Sequence, residues 1–349
     1  MSRFLIDCER MKYPNTGLYT YCSELGKAIL KQANAGEAVY YYLPSKAGAH
    51  FGPKAHYLAQ QSWHKIFMPY RQQFDVWHTT YQSSDYAPGN RKVKRLLTLH
   101  DLNFLYEDNH VHKKDRLLAK VQRTVDQSDH LVVISKYVKD DIMQHLHIGN
   151  KPISVIYNGC HVEEFPGFDA PKYRPAGGFL FSIGTVLPKK NFHVLPCLLA
   201  NNAYELVIAG NVNEAYKARI LQEAAIYGVQ DRVKIIGPVN EKDKYWYLSN
   251  CTAFTFPSVA EGFGIPVIEA MHFGKPVFLS DKTSLPEVGG SLAYYFSNFE
   301  PADMQEIFRK GLAHYAQYQT AAAIRKHADA FRWDDIAAQY LRIYRSLAG

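Results

Sequence analysis

Only five cysteines occur in the 349 residues (Cys8, Cys22, Cys160, Cys197 and Cys251), and no two are spaced Cys-x-x-Cys. An odd, scattered set excludes a disulfide framework and the common zinc modules, and reads as reduced thiols of a cytoplasmic protein. No apolar run reaches the roughly 18 residues that a membrane span needs, and no leader precedes the first strand-like run at Phe4. A soluble chain is therefore expected, at most peripheral to the inner face of a membrane. Low-complexity segments are missing too. The net charge of +7 is shared almost evenly by the two halves, with no basic tail or lopsided basic half, so a nucleic-acid partner is not expected.

What the chain does have is apolar material, 47% hydrophobic and 14% aromatic, enough for sizeable cores. Its length suits two domains of about 150–180 residues. Strand-like runs alternate with longer amphipathic segments throughout, the pattern of α/β parallel sheets covered by helices. In the first half the runs are Phe4–Asp7, Ala38–Leu43, Val76–Thr79, Lys94–Leu99, His130–Ile134 and Ile153–Ile156, with helices over Leu18–Ala33, Lys113–Gln127 and Lys136–His145. The second half repeats the plan at Phe179–Ile183, Glu205–Ala209, Val233–Ile236, Ala253–Phe256 and Pro276–Leu279. The Pro/Gly-rich stretch Phe165–Gly178 reads as the joint. The division expected is a Rossmann-like domain over 1–165, a linker over 166–178, a second Rossmann-like domain over 179–330 and a terminal helix over 331–349. Two such domains would face each other across a cleft at their strand C-terminal ends, where open α/β sheets bind ligands.

The most informative segment is 258–290, SVAEGFGIPVIEAMHFGKPVFLSDKTSLPEVGG. Glu261 and Glu269 bracket a Gly-Phe-Gly-Ile-Pro turn after an apolar strand. Gly264 can take angles closed to other residues, and Pro266 suits the first position of a helix. A helix beginning there aims free N–H groups and a positive dipole end at the loop, an anion site with the Glu269 carboxylate about one turn inside. A nucleotide diphosphate whose ribose hydroxyls need an acceptor fits that arrangement. The spacing resembles the Glu-x7-Glu donor signature of the retaining family-4 glycosyltransferases of group 1 type, and the match runs on through Gly274, Pro276, Ser280, Ser284, Pro286 and Glu287.

The resemblance implies the two-domain GT-B fold, with the last helix, lined by Phe331, Trp333, Ile336, Tyr340 and Tyr344, crossing back to the first domain. It also implies roles. Glu269 would hold the ribose and Glu261 the donor sugar. Phe263, Gly264 and Ile265 at the helix start would meet the phosphate. Gly184, Thr185, Lys189 and Lys190 in IGTVLPKKN resemble the family's phosphate-binding element, with Thr185 and Lys189 standing where many members carry arginine. Val239 would contact the base, Gly17 would border the donor phosphate, and Asn158-Gly159 matches the family's Asn-Gly near the hinge. His100, in LTLHDLNF, resembles the first-domain histidine that touches the transferred sugar; Asp101 could cap the next segment.

Metal-dependent sugar transferases need a motif such as Asp-x-Asp after a strand, and this sequence has none. The histidine pairs His110-x-His112 and His145-x-His147 lack cysteines or carboxylates at ligand spacing. No metal or other cofactor is expected, so Lys190, Lys189 and the helix N-terminus would stabilise the leaving diphosphate. The partners implied are a nucleotide diphosphate sugar and a glycan or lipid-linked acceptor. The Gly-Thr…Pro-Lys-Lys-Asn form resembles members that build bacterial surface polysaccharides, often with GDP-mannose. A nucleotide-sugar isomerase or a non-catalytic binder on the same fold is the alternative. Lys113, Arg116, Lys120 and Arg123 recur on one face of a helix, with Arg91, Lys92, Lys94 and Arg95 nearby; this basic stripe could meet anionic lipid, provided no acidic partner covers it.

Overall fold

Apolar runs such as VWHT at 76–79 and AFTF at 253–256 are buried at every position, as strands covered by helices on both faces must be. The computed structural model describes residues 1–14, 16–69, 73–90, 92–106 and 111–349; Arg91 and His110 of the sequence motifs lie outside the described residues. Contacts divide the chain into two units, Met1–Gly159 with Phe331–Gly349, and Cys160–Ala330.

The first unit holds β1 (Ser2–Asp7), β2 (Glu37–Pro44), β3 (His56–Gln60), β4 (Val76–Thr79), β5 (Lys94–Leu99), β6 (His130–Val133) and β7 (Ile153–Val155), paired in the order β3-β2-β1-β4-β5-β6-β7. All pairings are parallel, with Phe4 opposite both Val39 and Val76. Its helices are α1 (Gly17–Gln32), α2 (Val111–Asp126) and α3 (Lys136–His145). The second unit holds β8 (Phe179–Ile183), β9 (Glu205–Ala209), β10 (Val233–Gly237), β11 (Ala253–Phe256), β12 (Val277–Ser280) and β13 (Tyr294–Phe296), in the order β10-β9-β8-β11-β12-β13. Helices α4 (Glu214–Ile226), α5 (Glu241–Asn250), α6 (Ile265–His272), α7 (Leu285–Gly289), α8 (Pro301–Tyr318) and α9 (Ala321–Ala328) accompany it, and α10 (Trp333–Ala348) returns to the first unit. In both sheets the order reverses at the first strand, so the topological switch points lie beyond β1/β4 and β8/β11.

Two expectations need correction. The stretch 166–178 is not a free linker, because it belongs to the second unit. Its backbone is stitched down: Lys172 N–H donates to Asp243 Oδ1 (2.9 Å), Tyr173 N–H to the Tyr247 hydroxyl (2.8 Å) and Ala176 N–H to Glu205 Oε1 (2.7 Å). The chain instead changes unit at Gly159/Cys160 and Ala330/Phe331. In addition, β3 and β13 were missed. Both are edge strands, short and only partly buried, so neither carries the apolar run that reveals a central strand.

Helix α10 is welded to the first unit by the residues expected to line it. Trp333, Ile336, Tyr340 and Tyr344 are buried in one core with Phe4, Tyr21, Leu25 and Ile29. A Cβ on Gly159 would stand 2.3 Å from the Trp333 ring, so glycine is required there. The polar tips are paired inside this core: the Tyr21 and Tyr340 hydroxyls are 2.7 Å apart, and His78 bridges Tyr344 (2.6 Å) and Thr98 (2.8 Å). Removing Trp333 to Ala would cost about 3–5 kcal/mol by the usual cavity arithmetic.

Candidate active site

At the second unit's switch point, β8 runs into Gly184 and β11 into Pro257 and Ser258. Gly184 has φ +150°, donates its N–H to Ala209 O (3.0 Å), and leaves room for the Lys190 stem, which a Cβ would approach to 3.2 Å. Gly210, at φ +136°, packs so closely that a Cβ there would sit 2.0 Å from the Gly184 carbonyl oxygen. Thr185 is exposed, while Lys189 and Lys190 are half-buried on the one-turn helix Pro188–Lys190. The Lys189 carbonyl accepts from Val259 N–H (2.9 Å) and the Ser258 hydroxyl (3.1 Å), which fixes this turn against the loop carrying Glu261.

Helix α6 starts one residue earlier than expected, at Ile265, placing Pro266 second. Gly264 precedes it at φ +111°, a left-handed conformation, and its missing Cβ would meet Leu285 Cδ2 at 2.9 Å. Phe263 is buried, and the Ser284 hydroxyl lies within hydrogen-bond distance of the carbonyls of Glu261 (3.1 Å) and Phe263 (2.9 Å), to one of which it donates. The turn between the two glutamates is thus held from the α7 side.

Each glutamate is gripped by one lysine through one oxygen. Lys190 Nζ donates to Glu261 Oε1 and sits 4.9 Å from the centre of the Phe256 ring. Lys244 Nζ, on α5, donates to Glu269 Oε1 (2.7 Å) and contacts Glu241 Oε2 (3.0 Å). Burial works to lower the Lys244 pKa, but Glu269 and Glu241 together outweigh it and the pKa rises. No bond to Oε2 of either Glu261 or Glu269 occurs among the described residues. An ammonium has three protons, so Lys190 can keep Glu261 and still donate to a second anion. Lys244 was not singled out in the sequence: it lies 25 residues before Glu269, and Glu241-x-x-Lys244 reads as a surface helix pair. Val239 follows β10, half-buried, next to Pro238, whose carbonyl accepts from Lys172 Nζ (3.0 Å).

In the first unit, three expected residues follow the ends of β1 and β5. Gly17 opens α1; it is exposed, and a Cβ on it would meet nothing within 4 Å, so its own fold does not demand glycine. Thr16 caps the helix by accepting from Tyr19 N–H (3.3 Å). His100 is buried, one edge of Tyr21 against its ring at 4.7 Å. Its Nε2 lies 2.8 Å from the Thr80 carbonyl, which can only accept, so the proton sits on Nε2 and Nδ1 is the lone-pair nitrogen. Burial, offset in part by that carbonyl and aided by Arg10, lowers the His100 pKa to about 4. The imidazole is neutral at pH 7. Asp101 Oδ1 accepts from Asn103 N–H (3.0 Å), a local cap.

A buried acid pair at the end of β1 carries no signal in the sequence. The Ser84 hydroxyl lies 2.8 Å from Asp7 Oδ2 and 2.9 Å from Glu9 Oε2. One hydroxyl hydrogen cannot serve two carboxylates. Burial, then the Glu9 charge, raise the Asp7 pKa well above its ordinary value, which favours a shared proton in this cluster.

The histidine pair His145-x-His147 does not converge: His145 Nδ1 bonds the Asp141 carbonyl (2.8 Å), and His147 is tied through its backbone to Gln122 (2.8 Å). The basic stripe is interrupted, because Asp85 covers Lys120 at 2.5 Å. Among the described residues, no helix is long and apolar enough to cross a membrane.

Comparison with known proteins bears on the family and the fold. Over 99% of its length the chain is 24% identical to O-antigen chain mannosyltransferase B of Escherichia coli, which it covers completely. It is 29% identical over 61% of its length to the O-antigen chain mannosyltransferase RfbU of Salmonella typhimurium, covering 59% of that protein. Among solved structures, sucrose-phosphate synthase from Thermosynechococcus elongatus superposes with a TM-score of 0.76 at 17% identity, 99% of each chain covered. Anabaena HepE in complex with UDP and glucose does so with a TM-score of 0.68 at 15% identity, covering 99% of this chain and all of that one. At such identities these two likenesses speak for the fold alone, two parallel-sheet Rossmann-like domains of the GT-B class. Residues 20–164 match the model of Glycosyltransferase Family 4 and residues 172–323 that of Glycosyl transferases group 1. With both models matched in turn along its two halves, the chain belongs to the family-4, group 1 glycosyltransferases.

Proposed function

We propose that the protein moves a sugar, with retention of anomeric configuration and without a metal ion, from a nucleotide diphosphate sugar to a hydroxyl of a glycan or lipid-linked acceptor. The observation that carries this reading is the pair of lysine-held glutamates at the second unit's switch point, each with one oxygen left to accept. In this reading Glu269 Oε2 accepts from the ribose hydroxyls and Glu261 Oε2 from the donor sugar. Lys190, with Lys189 and the amides at the start of α6, takes up the charge of the departing diphosphate, the task a cation performs elsewhere. His100 contacts the transferred sugar as a neutral ring with an accepting Nδ1, which suits a sugar hydroxyl better than an anion. The leaving phosphate itself takes the acceptor's proton on the front face; no residue is assigned as a covalent nucleophile.

The mannosyltransferase relatives support GDP-mannose as donor and a surface polysaccharide as product. The enzyme then works in the cytoplasm, peripheral to the inner face of the membrane. The test is nucleotide release by the full chain, with GDP-mannose and competing nucleotide sugars, with and without a mannose-terminated acceptor. Release that depends on acceptor, with an α-linked product from an α-linked donor, is the expected result. Interconversion of the donor without transfer would favour the isomerase reading, and binding without turnover the non-catalytic one.

A further inference from the structure

At the first unit's switch point stands a cation to which the mechanism above gives no task. Arg10 lies on the turn Glu9–Lys12 that follows β1, half-buried. Its guanidinium carbon is 4.7 Å from the centre of the Tyr13 ring and 4.4 Å from that of Tyr81, which comes just after β4. The Nε–H is buried without an acceptor, and no ion pair to this guanidinium occurs among the described residues. Folded chains pair the large majority of their buried polar groups, so an unpaired one calls for an explanation. Ring contacts steady a guanidinium without consuming its N–H groups.

The surroundings add to this charge and do not neutralise it. Lys12 Nζ lies 5.0 Å from the centre of the same Tyr13 ring, and it too has no ion pair among the described residues. The carboxylates of the stretch, Asp7 and Glu9, turn instead to the Ser84 hydroxyl (2.8 and 2.9 Å). His100 is near. Its pKa is lowered chiefly by burial, and the Arg10 charge lowers it further. Thr80, whose carbonyl holds His100 Nε2, directly precedes the Tyr81 that Arg10 contacts. A neutral ring able to accept from a hydroxyl therefore stands beside two cations without a carboxylate partner.

We propose that Arg10, aided by Lys12, receives a diphosphate group of a substrate of the transfer reaction, its fork gripping two oxygens. A guanidinium offers a phosphate two parallel charged N–H bonds, and its weak hydration lets it do so from a half-buried position. This inference rests on the transferase reading and extends it to a residue of the first unit. The group comes from one of two sources, the diphosphate of the donor or a diphosphate that links an acceptor glycan to its lipid. Both present the same chemistry to Arg10.

Calorimetric titration of inorganic pyrophosphate into the full chain reads the site without turnover, so its result stands apart from that of the transferase reading. Arg10→Gln should weaken a pyrophosphate binding event at least about tenfold. Arg10→Lys should lose less, since an ammonium keeps the charge and gives up the fork. Both variants should melt close to wild type, because the guanidinium makes no ion pair within the described residues. Titration with GDP then separates the sources. If Arg10 holds the donor's diphosphate, Arg10→Gln loses GDP affinity by a similar factor. If it holds the acceptor's, GDP binds as to wild type, and the KM rises for a diphosphate-linked acceptor but not for the neutral methyl glycoside of the same sugar. Pyrophosphate bound by Arg10→Gln with wild-type affinity and stoichiometry overturns the proposal, whether or not the chain transfers sugar. Should Arg10→Gln fail to fold, Arg10→Lys decides: pyrophosphate bound as tightly as by wild type overturns the grip by the fork, and weaker binding at an unchanged melting temperature supports it.

Discussion

Replacing Lys244 by methionine isolates one of the two lysine–glutamate pairs. The methionine keeps much of the stem's packing while leaving the Glu269 carboxylate, whose side chain is 9% exposed, without its 2.7 Å donor. Stranding a buried charge costs about 3–5 kcal/mol when water is fully excluded. Here some solvent reaches both groups, and about 3 kcal/mol is the better figure. For a unit the size of Cys160–Ala330 that corresponds to roughly 6–12 °C in melting temperature. Nucleotide affinity should fall as well, because the carboxylate loses the contact that aims Oε2. Adding Glu269→Gln to Lys244→Met should recover most of the stability, since the buried charge is gone, but none of the nucleotide binding. Calorimetry with free nucleotide diphosphate, alongside thermal unfolding, reads both effects. Should Lys244→Met melt and bind nucleotide like wild type, the lysine does not position Glu269 and the reasoning fails.

Three further outcomes follow from the geometry. Activity should survive excess EDTA, whereas Lys190→Ala should lose it almost entirely and not regain it on adding magnesium or manganese; a chelator effect reversed by one metal would contradict this. The His100 pKa of about 4 lies below the unfolded value near 6.5, so the unfolded state binds the extra proton first. That stabilisation is complete above pH 6.5 and lost as pH falls towards 4, at most about 3 kcal/mol, and His100→Gln should flatten this part of the stability–pH curve; an unchanged curve would show that the ring is not buried neutral. Gly210→Ala, which touches no proposed ligand, should weaken nucleotide binding by pushing back the Gly184 loop, because its Cβ has 2.0 Å where contact needs more than 3 Å; wild-type affinity would mean the loop yields freely.

Much of the fold was legible because central parallel strands leave continuous apolar runs. The limits of β4, β5, β8, β9 and β11 can be read directly from composition, whereas β3 and β13 at the sheet edges cannot. The segment 165–178 misled because proline and glycine mark irregular backbone, which need not be mobile; here its N–H groups found side-chain acceptors. Within the site, glutamates at a helix start announce themselves through local chemistry. Lys244 does not, because what gives it meaning is the packing of α5 against α6, a tertiary contact invisible to spacing. The buried Asp7–Ser84–Glu9 cluster was hidden for the same reason, as Ser84 arrives from 77 residues away.

The central claim, that the second unit grips a nucleotide through Glu269 and a sugar through Glu261, has one direct test: calorimetric titration of free GDP into wild type, Glu269→Ala and Glu261→Ala. A charged hydrogen bond lost at the ribose costs about 1.5–3 kcal/mol, roughly ten- to hundred-fold in affinity. Glu269→Ala should show that loss, while Glu261→Ala binds GDP nearly as wild type and fails only in turnover with the nucleotide sugar. Equal GDP affinity in wild type and Glu269→Ala would contradict the assignment.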